Sequence, residues 1–156
     1  MPGIIQLQEL DAAYIAGLLD REGSFQVGKH RNKTKHCSRR GFNWELRIGI
    51  GMTDRGGLDF LAEKFNKKRL RTSRAQTPRN KPSFHLTLFA GELRQCLHQI
   101  IPHLKVRRKQ AELLWEAISI IGPKKNEKVD TRLEEIYLEM RALNKKGPKR
   151  GLPLKA

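Results

Sequence analysis

Glu22 is the residue whose surroundings most need a chemical explanation. It stands at the edge of a window, Gly23 to Trp44, that holds no acid and six basic residues: Lys29, Arg31, Lys33, Lys35, Arg39 and Arg40. A carboxylate beside a stretch that attracts polyanions would only repel the partner unless it has a task there. A second acid-free window, Lys64 to Gly91, holds Lys64, Lys67, Lys68, Arg69, Arg71, Arg74, Arg79 and Lys81. A third, Leu93 to Ala111, carries Arg94, Lys105, Arg107, Arg108 and Lys109. Acids gather instead at the N-terminus and around Glu134, Glu135 and Glu139. This polarity implies one face for phosphates and another for solvent or a partner.

Other chemistries lack their residues. His30, His36 and Cys37 fall in one segment without a partner pair at zinc spacing. Cys37 and Cys96 are too few for a disulfide framework, and Cys96 lies among apolar residues at helical spacing, as a core cysteine does. There is no glycine-rich nucleotide loop. Trp44, Trp115 and Tyr137 read as packing residues rather than base-stacking platforms. The chain has 156 residues, a net charge of +16 and 38% hydrophobic residues. That length suits one domain. The charge exceeds what solubility needs and points to a polyanionic partner. No apolar run is long enough for a membrane span, and the N-terminus reads as no signal peptide. The expectation is an intracellular protein, in a prokaryotic cytoplasm or an organelle.

The elements that must position these residues follow from periodicity. Leu10, Tyr14, Gly17 and Leu18 share one helical stripe, which predicts a helix over 8–19 with Gly23 as a left-handed stop. Residues 24–30 alternate as a half-buried strand, and 45–52 do so most cleanly. The polar segment between them reads as a hairpin loop. Asp54 suits the cap of a second helix bearing Leu58, Leu61, Ala62 and Phe65. Residues 69–73 and 83–89 read as a second strand pair. A short helix over 92–101 stops at Pro102, and Ala111, Leu114, Trp115, Ile118 and Ile121 mark another. Thr131, three residues before Glu134, predicts a capping box opening the last helix. The fold class is α+β: an αββαββα order, with a four-stranded antiparallel sheet covered by helices on one face. Residues 1–143 form the domain, and 144–156 read as a loose basic tail.

The open face would carry Gln26, His30, Glu45, Arg47, Arg69, Arg71, His85 and Thr87, mostly hydrogen-bonding types. A two-stranded ribbon fits the major groove of DNA, where Arg and Gln read base edges while flanking cations set register. Ser24, Arg31, Lys33, Lys35, Arg39, Arg40, Arg74, Lys81 and Arg108 complete the expected DNA-contacting set.

The run Tyr14-Ile15-Ala16-Gly17-Leu18-Leu19-Asp20-Arg21-Glu22-Gly23-Ser24-Phe25 resembles the LAGLIDADG motif of homing endonucleases. Ala16, Gly17, Leu18, Asp20, Gly23 and Ser24 follow the pattern. Ile15, Leu19, Glu22 and Phe25 are conservative variants, and Arg21 departs from it, standing where the pattern has a small residue. Small residues at Ala13, Ala16 and Gly17 would let a second helix approach backbone to backbone. In that family, chains with one motif form homodimers. The resemblance therefore implies a dimer through this helix, with Ala13, Ala16, Gly17 and Asp20 in the interface. It implies a long, nearly palindromic duplex target and a role in intron homing.

It also implies the chemistry. Dimerisation brings two Glu22 carboxylates near the phosphate backbone, where they would repel each other unless cations lay between them. Mg²⁺ binds readily through one or two carboxylates plus phosphate oxygens. Glu22 is then the metal ligand, with the Arg21 carbonyl as a second donor and two or three ions shared by the dimer. The run Pro102 to Ala111 resembles the family's basic segment, which places Arg107 or Lys105 near the reacting phosphate. Asp54 stands where the family often has a polar water-positioning residue, although a helix cap explains it as well. The rival reading is a non-cleaving nucleic-acid-binding protein on the same scaffold, such as a maturase assisting intron RNA.

Overall fold

A computed structural model describes residues 5–31, 42–66, 71–73, 82–122 and 126–145, with backbone alone for 71–73. The expected contacts of Lys33, Lys35, Arg39, Arg40, Arg69, Arg74 and Lys81 lie outside the described residues, as does most of the expected tail. The order is α1 (Glu9–Glu22), β1 (Gly23–Arg31), β2 (Phe42–Met52), α2 (Gly56–Lys64), β3 (Arg71–Ser73), β4 (Ser83–Phe89), α3 (Ala90–Ile100), a 3-10 turn (Ile101–His103), α4 (Arg108–Ile120) and α5 (Glu127–Leu143). This is the expected αββαββα order with two further helices.

The strands form one antiparallel sheet in the order β1-β2-β4-β3. The described part of β3 is three residues long. Alternation sorts the side chains. Phe25, Val27, Leu46, Ile48, Ile50, Leu86 and Leu88 are buried under the helices. Ser24, Gln26, Gly28, His30, Glu45, Arg47, His85 and Thr87 are set on the opposite face by the period of two. Lys29, on the inward parity near the end of β1, meets Glu134 of α5 at 2.9 Å and lies 4.4 Å from the centre of the Phe42 ring. Trp44 donates its indole N–H to Asp130 at 3.3 Å, and Asn144 donates to the Phe25 carbonyl at 2.7 Å. These contacts seat α5 against β1 and β2.

Three helix boundaries differ from expectation for physical reasons. Helix α1 runs on to Glu22, and Gly23 is extended (φ −78°, ψ 137°) rather than left-handed. Its glycine is required by close approach: a Cβ would lie 2.5 Å from the Leu19 carbonyl oxygen. The chain thus passes from helix into strand with no loop. Helix α5 starts at Glu127, not Thr131, because Asn126 caps it by accepting from the N–H of Lys128 and Val129. Thr131 Oγ1 bonds the Glu127 carbonyl inside the first turn. Asp54 accepts from the N–H of Gly56 at 2.9 Å, one residue ahead of the formal cap Arg55.

Candidate functional site

Helix α1 carries two apolar stripes. Ala12, Ile15, Ala16 and Leu19 are buried in the protomer's own core. Leu10, Ala13, Tyr14 and Gly17 follow the same spacing on the exposed side, with Leu10 83% and Tyr14 50% exposed. The sequence spacing puts Leu10, Tyr14, Gly17 and Leu18 on one stripe without saying which side of the helix has the core role. The structure assigns that role to the other stripe, because the sheet meets the helix on the Ile15–Leu19 side. Ala16 is fully buried, so it is no interface residue, whereas Ala13 and Gly17 remain open. A Cβ on Gly17 would touch nothing within 4 Å. Among the described residues of the protomer, nothing requires glycine there.

By the same spacing the exposed stripe runs on to Arg21, with Glu22 beside it. A groove beside it is lined by Ala13, Gly17, Arg21, Glu22, Asp54, Ser83 and His85, among others. Glu22 thus stands at the last turn of α1, at the start of the sheet, with a side chain 34% exposed. Arg21 Nε lies 3.3 Å from Glu22 Oε1. Asp54 reaches the same groove while holding the start of α2, so its capping and lining roles coincide. His85 lies over Gly51, where a Cβ would come within 2.8 Å of its Nδ1. Its Nε2 pairs with Ser83 Oγ at 2.9 Å. The register puts Arg71 across from His85.

Lys105 and Arg107 do not line that groove. They sit on the other side of the helix end, tied there by Asp20. The Asp20 carboxylate accepts the backbone N–H of Lys105 at 2.8 Å, Val106 at 3.0 Å and Arg107 at 2.9 Å. Two residues around a helix turn the side chain by about 200°, so Asp20 and Glu22 face opposite ways. Asp20 was expected in the dimer interface, but its carboxylate is committed within its own chain. Among the described residues, the buried Arg107 Nε has no hydrogen-bond partner. Arg108 pairs with Glu112 one turn along α4 at 3.1 Å and is exposed.

One protomer's carboxylate site offers a hard cation too few side-chain ligands by itself. Among the described residues, no group of three or more His, Cys, Asp or Glu could hold a metal ion. What one protomer offers is the Glu22 carboxylate, flanked by carbonyls of the last helical turn, which lack intrahelical partners. These are oxygen donors of the kind Mg²⁺ takes.

The architecture defines a class: it is the fold of the homing endonucleases. The archaeal intron-encoded homing endonuclease I-Vdi141I, solved in complex with DNA, superposes with a TM-score of 0.68 at 18% identity, covering 91% of this chain and 89% of that one. The homing endonuclease I-CvuI, solved with the I-CreI target in the presence of Mg, also gives 0.68, at 16% identity, covering 92% and 87%. The LAGLIDADG meganuclease I-CpaMI, bound to uncleaved DNA, gives 0.62 at 17% identity. It matches 86% of this chain but only 45% of its own length. No family profile and no curated protein matches the sequence itself.

Proposed function

We propose that the chain is a site-specific double-strand DNA endonuclease that works as a homodimer. The observation that carries this reading is the exposed Leu10–Ala13–Tyr14–Gly17 stripe, which runs on to Arg21, the neighbour of Glu22 at the end of α1. Two copies packed along that stripe about a twofold axis would bring two Glu22 carboxylates together and set the two sheets side by side. That the fold matches about half of the I-CpaMI chain agrees with one copy being half of a working unit. The open sheet faces would take a long pseudo-palindromic duplex, and the role would be homing of an intron inside a prokaryote or an organelle.

Glu22 from each protomer, with the Arg21 carbonyl, would hold Mg²⁺ against the phosphate. Bound there, the ion would polarise the phosphate oxygens and lower the pKa of its water. The chain's own residues would do the rest. Asp20 keeps the 105–107 segment against the end of α1, so that Lys105 and Arg107 can offer positive charge to the backbone. Asp54 and His85 line the groove beside Glu22 and can orient a water or a sugar-phosphate oxygen.

One observation favours a second reading, a non-cleaving binder of DNA or intron RNA. Arg21 sits beside Glu22 and partly neutralises it, as a cation would. One experiment separates the two readings. A plasmid carrying a site selected from a randomised duplex pool is incubated with the protein, with Mg²⁺ and then with EDTA. Linearisation that needs Mg²⁺, vanishes in Glu22→Gln and leaves duplex binding intact supports the nuclease. Binding without linearisation by the wild-type chain moves the assignment to the binder.

A further inference from the structure

The open sheet face carries a continuous chain of polar contacts across β1 and β2. The register sets Gln26 opposite Arg47 and Gly28 opposite Glu45. Arg47 Nε donates to Gln26 Oε1 at 2.8 Å, and Arg47 Nη1 donates to Glu45 Oε1 at 3.0 Å. Gln26 passes the chain on, donating from Nε2 to Ser24 Oγ at 2.9 Å. The other Glu45 oxygen, Oε2, meets His30 Nε2 at 2.6 Å. A guanidinium has only donors, so it fixes which end of the Gln26 amide faces it. Gly28 makes room for the arrangement: a Cβ there would lie 3.1 Å from His30 Nε2 and 3.7 Å from the Glu45 Cβ.

We infer that Arg47 is the group with which this face reads a guanine in a duplex, and that Glu45 is a positioning residue for Arg47 rather than a DNA contact. The inference rests on the DNA-binding reading above. Of the five N–H groups of Arg47, its two contacts use one on Nε and one on Nη1. Among the described residues no other contact engages Arg47, which leaves both protons of Nη2 and the second of Nη1 on a side chain that is 41% exposed. A guanidinium fork matches O6 and N7 of guanine in the major groove, the commonest specific arginine contact. An arginine already held by two neighbours loses less rotamer freedom on binding than a free one. Glu45 has the opposite problem, since a lone carboxylate facing DNA repels phosphates. Here one of its oxygens faces Arg47 and the other His30.

Selection from a randomised duplex pool, in EDTA so that cleavage plays no part, tests this. The wild-type chain should prefer guanine at one position of each half-site. Arg47→Ala should lose that preference by roughly 5- to 150-fold and leave the other positions unchanged. Glu45→Ala should weaken the same position and no other, and Glu45→Gln should restore part of it, because an amide oxygen still accepts from Arg47. Thermal melting checks that each variant is folded. An Arg47→Ala profile identical to wild type overturns the inference while leaving the DNA-binding reading in place. So does a Glu45→Ala loss that falls on a separate, cytosine position, since Glu45 would then read a base itself. A wild-type chain that enriches no sequence overturns the inference and the DNA-binding reading together.

Discussion

Asp20 Oδ1 accepts the backbone N–H of Arg107 at 2.9 Å, across 87 residues of sequence. The same carboxylate holds Lys105 and Val106, so one side chain at the end of α1 organises the whole approach to α4. Asp20→Ala would leave three N–H groups without this acceptor. The expected cost is about 1–3 kcal/mol, within the range for charged hydrogen bonds and lost caps, read as a lower urea midpoint at constant slope. Asp20→Asn should cost less, because its single oxygen can keep the position shared by Val106 and Arg107 and forgo only the Lys105 contact. Equal stability for Asp20→Ala and wild type would show that the clamp contributes nothing.

Gly17 separates fold from assembly. Its added Cβ meets nothing among the described residues of the protomer, and alanine is the better helix former by about 1 kcal/mol. Gly17→Ala should therefore leave the monomer as stable as before or more so. In a dimer packed along this stripe, the extra methyl group pushes the helices apart. Sedimentation equilibrium should show weaker self-association in Gly17→Ala, and weaker still in Gly17→Val. A variant that dimerises as tightly as wild type would place the interface elsewhere.

Arg132 grips Glu116 with two bonds, Nε to Oε1 at 2.6 Å and Nη2 to Oε2 at 2.9 Å, and so pins α5 to α4. These bonds hold the Glu116 carboxyl below its ordinary value of 4.5 and push the guanidinium up. A carboxyl depressed in the folded state contributes stability above its unfolded pKa and loses it as pH falls through the folded one. Glu116→Gln should therefore be less stable than wild type at pH 6, and the gap should close near pH 3. The pair is partly exposed, so the gap at pH 6 will be small. Parallel urea curves at the two pH values measure it. A gap that widens in acid would contradict the assignment.

Cys96 is fully buried, and its thiol, pushed up to about 12 mainly by desolvation, stays protonated at neutral pH. The thiolate is the reactive form. In a Cys37→Ser background, Ellman's reagent at pH 8 should modify Cys96 only as fast as the chain unfolds, and at once in denaturant. Rapid labelling of the native protein would place the thiol at the surface.

Much of the architecture was legible locally. Strands β1, β2 and β4 alternate with period two, and each turned the expected residues to the open face, because pleating leaves no other choice once one face is buried. Cys96 is buried as its apolar neighbours implied, and Trp44 packs against the core as expected of a packing residue. The basic windows and the acid at their edge were also plain in the order of residues. Tertiary structure decided what local spacing left ambiguous. Both stripes of α1 are apolar, and only the position of the sheet shows that Ala16 is core and Gly17 surface. Gly23 looked like a left-handed stop, yet it is required by the nearby Leu19 carbonyl, a contact that becomes visible only when helix runs directly into strand. Asp20 lay in the motif as an expected interface residue, but its partners are in its own chain, 85 to 87 residues away. Glu45 and Arg47 were outward residues on one strand. That they form a single held unit with Gln26 and His30 follows from strand pairing, which brings together side chains distant in sequence. Periodicity reports the environment of a side chain within its own element, and the partner it finds there is set by how the elements pack.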